Sequence, residues 1–198
     1  METRALEVLK LILERQGIAV ESAERAAIPK GLDRVRIYTM GDFMVFFSQK
    51  DKITEGDLDK YLDYARVSKH DQRAIVVAMS KPSENVEKAI KHLIASSARL
   101  RFFHIRELQV DIMQHRLWMP HFVFNEKFRK TRPDILDAFN RFKIEKPEEE
   151  LPRMDCMDKG ARLIGAFPGD IVYIQFHSDT SGYAHYWRRV VEDANVDQ

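Results

Sequence analysis

A chain of 198 residues with 44% apolar side chains holds either one ordinary globular domain or two modest ones. Lys and Arg number 32 against 31 Asp and Glu, a formal charge of +1. This excludes a global basic field drawing the chain onto nucleic acid, so any such contact must be local. The single cysteine, Cys156, excludes an intramolecular disulfide framework, points to a reducing compartment and reads as a small buried or half-buried side chain. The N-terminus carries no basic, apolar, small-residue signal, and no apolar run approaches the ~20 residues that span a bilayer. The expectation is a soluble, intracellular protein without a membrane partner.

In chain order, Ala5, Val8, Leu9, Ile12 and Leu13 recur at helical spacing from Arg4 to Gln16, and Gly17 follows at the end. Pro29-Lys30-Gly31 marks a turn. Val35 to Thr39 alternates before Gly41-Asp42, after which Phe43 to Phe47 reads as a second strand, so the pair is predicted to form a hairpin. Thr54 with Asp57 resembles a capping box opening a helix through Leu58, Tyr61, Leu62 and Ala65. The apolar run Ala74 to Met79 predicts a strand covered on both faces. Pro82-Ser83 precedes a helix through Val86, Ala89, Ile90, Leu93 and Ile94, and Leu100 to Ile105 is one more strand. Helices alternating with strands indicate an α/β layer. After His121 the texture changes to a basic patch (Lys127, Arg129, Lys130, Arg132), Pro133, a helical stretch with Ile135, Leu136 and Phe139, and the acidic Pro147 to Glu150. A boundary near residues 115–125 fits best, dividing the chain into 1–118 and 119–198.

The last segment is the most informative. Asp158 is placed to cap a short helix ended by a left-handed Gly165, and Pro168-Gly169 supplies the angles of a type II turn. A strand from Asp170 then pairs with Tyr183 to Val191 across Ser178-Asp179-Thr180-Ser181-Gly182. The ordered set Leu151-Pro152-Arg153, Asp158, Ala161-Arg162, Gly165, Pro168-Gly169-Asp170-Ile171-Val172, Ser178-x-Thr180-x-Gly182 and Arg188 resembles the C-terminal domain of a jaw subunit of multisubunit RNA polymerases. That jaw protein is shared by RNA polymerases I, II and III in eukaryotes, and in archaea the domain alone makes up a complete small component of the polymerase. Weaker similarity runs upstream through Arg15 to Val20, Met44 to Phe47, Arg73 to Val77 and the joining passage Glu107-Leu108, Ile112, His115, Leu117 and His121, favouring the two-domain form. Against the family pattern the segment from His121 to Leu151 is longer and the stretch before Phe43 shorter. Lys159 and Gly160 stand where Pro and an apolar residue are usual, weakening the helix start and marking where a partner contact has drifted. Phe176-His177 replaces Arg-Pro, Trp187 replaces Tyr, and Pro120 lies one position late.

Three chemical readings compete with a bland one. A metal-dependent nuclease needs an acid at one strand start and an acid-x-Lys triplet at the end of the next. Asp42 and Lys50 begin such a set, but Ser48 stands where the second acid belongs. His115 with His121, and His177 with His185, lack zinc-site spacing and read as structural or surface histidines. Ser178 and Thr180 lack a base and read as bonding the hairpin backbone. No metal, cofactor or catalytic residue is expected.

Lys81-Pro82-Ser83 ends a buried strand and opens a helix, where a Ser83 cap, free amides and Lys81 suit a phosphate. The resemblance implies that this loop faces downstream duplex DNA, through weak, sequence-independent contacts. Arg153, Arg162, Tyr173, Trp187 and Arg188 belong to an aromatic and arginine-rich unit of the kind enriched at interfaces. Half of that unit is expected to close the core instead, since alternate strand residues face opposite sides. The resemblance implies docking on the largest polymerase subunit. The reading is therefore an α/β (α+β) protein with an N-terminal mixed-sheet jaw domain and a small C-terminal helix and β-hairpin assembly domain. It would act as a noncatalytic RNA polymerase subunit in the nucleus, or in the cytoplasm or virion if viral. Its rivals are a stand-alone transcription adaptor and the nuclease.

Overall fold

The computed structural model describes residues 1–68, 73–178 and 182–194. Two compact units, Met1–Asp111 and Ile112–Gln198, divide the chain. The division falls N-terminal of the predicted 115–125 range because residues 109–111 are bound to the first helix. Gln109 donates to the Met1 carbonyl at 3.1 Å and accepts from Arg4 at 3.4 Å, and Asp111 takes a forked ion pair from Arg15.

In the first unit, α1 (Glu2–Arg15) buries the predicted stripe Ala5, Val8, Leu9, Ile12 and Leu13. Five strands form one mixed sheet: β1 (Glu24–Arg25), β2 (Val35–Met40), β3 (Phe43–Ser48), β4 (Arg73–Ala78) and β5 (Arg99–His104), in that spatial order. The β2–β3 hairpin closes through Gly41 at φ +55°, where an added Cβ would lie 2.8 Å from the Ala19 carbonyl. β3, β4 and β5 run parallel, connected through α2 (Glu55–Val67) and α3 (Glu84–Ala95). Ala74 to Ala78 of β4 are all buried, as the uninterrupted apolar run requires. α2 starts at the predicted capping box: Thr54 Oγ1 and its backbone N–H both donate to Asp57, which also takes the Lys50 ammonium. These bonds outweigh the cost of burial and hold the Asp57 carboxyl below its ordinary range. The one arginine buried in this sheet, Arg101, donates to Gln16 at 2.8 Å and lies 4.7 Å from the centre of the Phe43 ring. Burial, with Arg99 nearby, lowers its pKa to about 10.

The second unit is a four-stranded sheet ordered β6-β8-β9-β7, from β6 (His121–Val123), β7 (Arg153–Asp155), β8 (Ile171–Ser178) and β9 (Gly182–Val191). Before β7 lie α4 (Glu126–Thr131), α5 (Pro133–Arg141) and the single turn α6 (Pro147–Glu150), and after it α7 (Lys159–Ile164). The basic patch is thus a helix of its own: Asn125 caps it by accepting from Phe128 N at 2.9 Å, and Pro133 opens the next. Tyr173 and Trp187 sit side by side in a core with Phe124, Ile135 and Leu151, overlaid by Phe128 and Phe139. The expected α7 turn is present. Asp158 Oδ1 accepts from Gly160 N at 2.7 Å, Gly165 takes φ +75°, and Asp170 N donates to Phe167 O across Gly169 at φ +93°. Thr180 and its neighbours in the hairpin loop, with the Ser178 side chain, lie outside the described residues.

Candidate functional site

The loop after β4 keeps Lys81 and Ser83 exposed and Pro82 half-buried. Its start is fastened by His104, whose Nε2 meets the Met79 carbonyl at 2.9 Å, while Glu107 closes a capping box on His104. Ser83 does hold the N-cap position of α3, and its carbonyl accepts from Glu87 N at 2.8 Å. Its hydroxyl, however, caps no amide, which corrects the predicted role. The first turn is exposed at Glu84 and Asn85, so solvent meets its N–H groups. Glu84 and Glu87 occupy the positive helix end that a phosphate would use. The loop therefore presents the exposed charge of Lys81 beside solvent-facing amides, opposed by two carboxylates.

The nuclease set is not assembled. Asp42 precedes β3 and Ser48 ends it, and at about 3.3 Å per residue they lie roughly 20 Å apart. Asp42 faces Arg73 at 2.8 Å and Lys50 is held by Asp57. No group of three or more His, Cys, Asp or Glu among the described residues is placed to hold a metal.

In the second unit the hairpin sorts its aromatic residues by position. Trp187 has five rings around it, including Phe139 and Phe142 at 5.4 Å and Tyr173 at 5.6 Å. Tyr173 is 0% exposed and its hydroxyl meets His185 Nδ1 at 2.8 Å; burial raises its pKa. Both were expected to face a partner, and the structure corrects this. They lie on the hairpin face covered by α4 and α5 and serve as core. The half that stays outside is Phe176, Tyr183 and Tyr186, of which Tyr183 and Tyr186 are 62% and 54% exposed. Alternation puts Tyr186 and Trp187 on opposite faces, and the reach of α4 and α5 decides which stretch of the Trp187 face is covered, leaving Tyr183 exposed. Of the arginines, Arg153 and Arg188 are exposed, with Arg188 reaching the Arg153 carbonyl at 3.4 Å. Arg162 is half-buried and donates from Nε to Met157 O at 2.8 Å. Cys156 is buried, its Sγ 3.4 Å from the Glu192 carbonyl.

Gly160 has a packing reason that the sequence does not reveal. A Cβ at this position would lie 2.8 Å from Cδ2 and Nε2 of His121, whose Nδ1 donates to the Met119 carbonyl. The missing side chain makes room for the imidazole of β6 against α7. The substitution is thus internal accommodation, which corrects its reading as a drifted partner contact. Burial pushes the His121 pKa down, and Arg188 adds to this against Asp158 and the Met119 bond.

Comparison with known proteins places a family match on this second unit. The family model "RNA polymerase Rpb5, C-terminal domain" matches residues 110–190. DNA-directed RNA polymerase subunit Rpo5 of Thermococcus onnurineus is 34% identical over 85 residues, 43% of this chain and 94% of that protein. The subunit rpabc1 of RNA polymerases I, II and III from Dictyostelium discoideum is 29% identical over 143 residues, 70% of this chain and 66% of that protein. The Rpo5 subunit of Methanosarcina acetivorans is 37% identical over 59 residues, 30% of this chain and 73% of that protein.

Proposed function

We propose a division of labour within this chain, which belongs to the RNA polymerase Rpb5 family and is a noncatalytic subunit of a multisubunit DNA-directed RNA polymerase: the C-terminal unit docks on the largest polymerase subunit, and the N-terminal unit is a jaw beside downstream duplex DNA. The observation that carries the reading is an asymmetry of likeness. The family model of a C-terminal domain matches residues 110–190, and 94% of an archaeal polymerase subunit is covered by 85 residues of this chain, whereas a match of 143 residues is to a subunit named for three polymerases. A part that suffices as a subunit by itself is the part that assembles. Docking would use the exposed Arg153 and Arg188 and the outer side of Arg162, with Tyr173 and Trp187 holding the scaffold rigid behind them.

The jaw reading rests on the family and on the exposed loop Lys81 to Ser83. Its contact would be to phosphate, sequence-independent and weakened by salt, in keeping with the near-neutral chain. Work on DNA in transcription accords with a nuclear site in a eukaryotic cell. The tagged chain should copurify stoichiometrically with the large polymerase subunits and resist salt washing. Migration alone in gentle extracts would sink the docking reading in favour of a stand-alone adaptor. In the assembled enzyme, Lys81→Glu should lower downstream-DNA affinity severalfold and reduce its salt dependence; unchanged affinity and salt slope would remove the jaw contact.

A further inference from the structure

Part of β9, on the side where β7 lies, is an open strand edge. Val190 donates to the Asp170 carbonyl at 2.8 Å and accepts from Gly169 N at 3.0 Å, so its backbone groups point toward β8. Arg189 N and Val191 O point the other way, to Pro152 O at 3.0 Å and Cys156 N at 2.9 Å. This alternation aims the N–H and C=O of Trp187, His185 and Tyr183 outward, on the side where β7 lies. β7 covers only Arg189 to Val191. The next donor of that ladder would be residue 152, a proline without an N–H, and the chain turns away there into α6, with Leu151 N donating to Pro147 O at 3.2 Å. Among the described residues, no hydrogen-bond partner meets the backbone groups of Tyr183, His185 or Trp187 on this edge.

Resting on the subunit reading above, we propose that this edge takes an extended segment of another polymerase subunit as an added strand, end to end with β7. Backbone chemistry selects an extended polypeptide, because only another strand matches a row of alternating donors and acceptors. Five residues, 183–187, give it a length of roughly 17 Å. Charge selects an acidic one: Arg188 is exposed at the β7 end, with Arg189 beside it. Toward the hairpin tip, Tyr186 and Phe176 form an edge-to-face pair at 6.2 Å that offers apolar contact to alternate side chains of the added strand.

Amide hydrogen exchange of the full chain, free and within the purified polymerase, tests this. Tyr183, His185 and Trp187 amides should slow at least tenfold on assembly, while the amides of 184, 186 and 188, already in the β8 ladder, change little. A second comparison isolates the backbone donor: His185→Pro and His185→Ala both lose the ring contact to Tyr173, but only proline removes the N–H. The proline variant should be retained by polymerase at least fivefold less well than the alanine variant. Unchanged exchange, or equal retention, in a chain that still copurifies overturns the added strand and leaves the docking reading standing. Failure of the wild-type chain to copurify overturns both. Protection that appears in the free chain together with dimers overturns the heterotypic strand in favour of a second copy.

Discussion

The two sheets of this protein solve opposite problems. In the N-terminal unit β2, β3, β4 and β5 are each six residues long and pair with one another over four to six residues, with only the edge strand β1 shorter. In the C-terminal unit strands of eight and ten residues are flanked by strands of three. The mismatch leaves part of the central hairpin without neighbours, and aromatic residues of one composition divide into core and surface along it. Matched strands make a self-sufficient body, whereas mismatched ones make a body that presents a surface.

The sharpest way to break that contrast is within the hairpin. Trp187→Ala empties the centre of the aromatic core and should destabilise the chain by about 3–5 kcal/mol, whereas Tyr186→Ala, one residue away on the exposed face, should stay within about 0.5 kcal/mol. Denaturant unfolding of the full chain followed by Trp fluorescence and circular dichroism reads both. Equal losses would mean that the division into core and surface is wrong.

In the N-terminal unit the comparable lever is polar. Asp57→Ala removes the capping box of α2 and leaves the Lys50 ammonium, only partly exposed, without its carboxylate. A loss of about 2 kcal/mol is expected. Because the folded pKa of Asp57 lies below its unfolded value, the wild-type advantage is present above that unfolded value and is lost as pH falls through the folded one. A constant difference between variant and wild type down to about pH 2 would contradict this.

Much of this was legible because local chemistry decides it. The α1 stripe, the Thr54–Asp57 box, the fully buried β4 and the Asp158 to Gly169 turn each follow from periodicity, caps and positive-φ glycines that act over a few residues. β6 and β7 are not legible, since three residues carry no alternation to count, and neither is the cover that α4 and α5 lay over Trp187 while Tyr183, on the same face, stays exposed. The hydroxyl of Ser83 shows the reverse limit: a favourable residue at the N-cap position need not make the bond when its turn is open to water. Long-range complementarity was invisible as well. In the sequence Gly160 reads as a weakened helix start, whereas in the fold His121, brought alongside by β6, occupies the space a side chain there would need.

That complementarity carries the two smaller effects. Gly160→Ala drives a methyl against the His121 ring and, despite the higher helix propensity of Ala, should destabilise by about 1–2 kcal/mol, with the loss largely relieved when His121→Ala is added. The smallest effect is the pH response of His121 itself. Desolvation between β6 and α7 lowers its folded pKa; Arg188 adds to the shift, while Asp158 and the Met119 carbonyl oppose it. A base with a lowered folded pKa binds fewer protons folded than unfolded, so stability is full above its unfolded value near 6.5 and declines as pH falls below it. Thermal unfolding between about pH 7.5 and 5.5 should therefore show a drop in midpoint that shrinks in His121→Gln, a variant that cannot gain the charge. The same drop in both proteins would place the titrating group elsewhere, and a midpoint that rises toward the acid end of that range would mean that the imidazole is stabilised in its charged form by Asp158, against the direction that its burial sets.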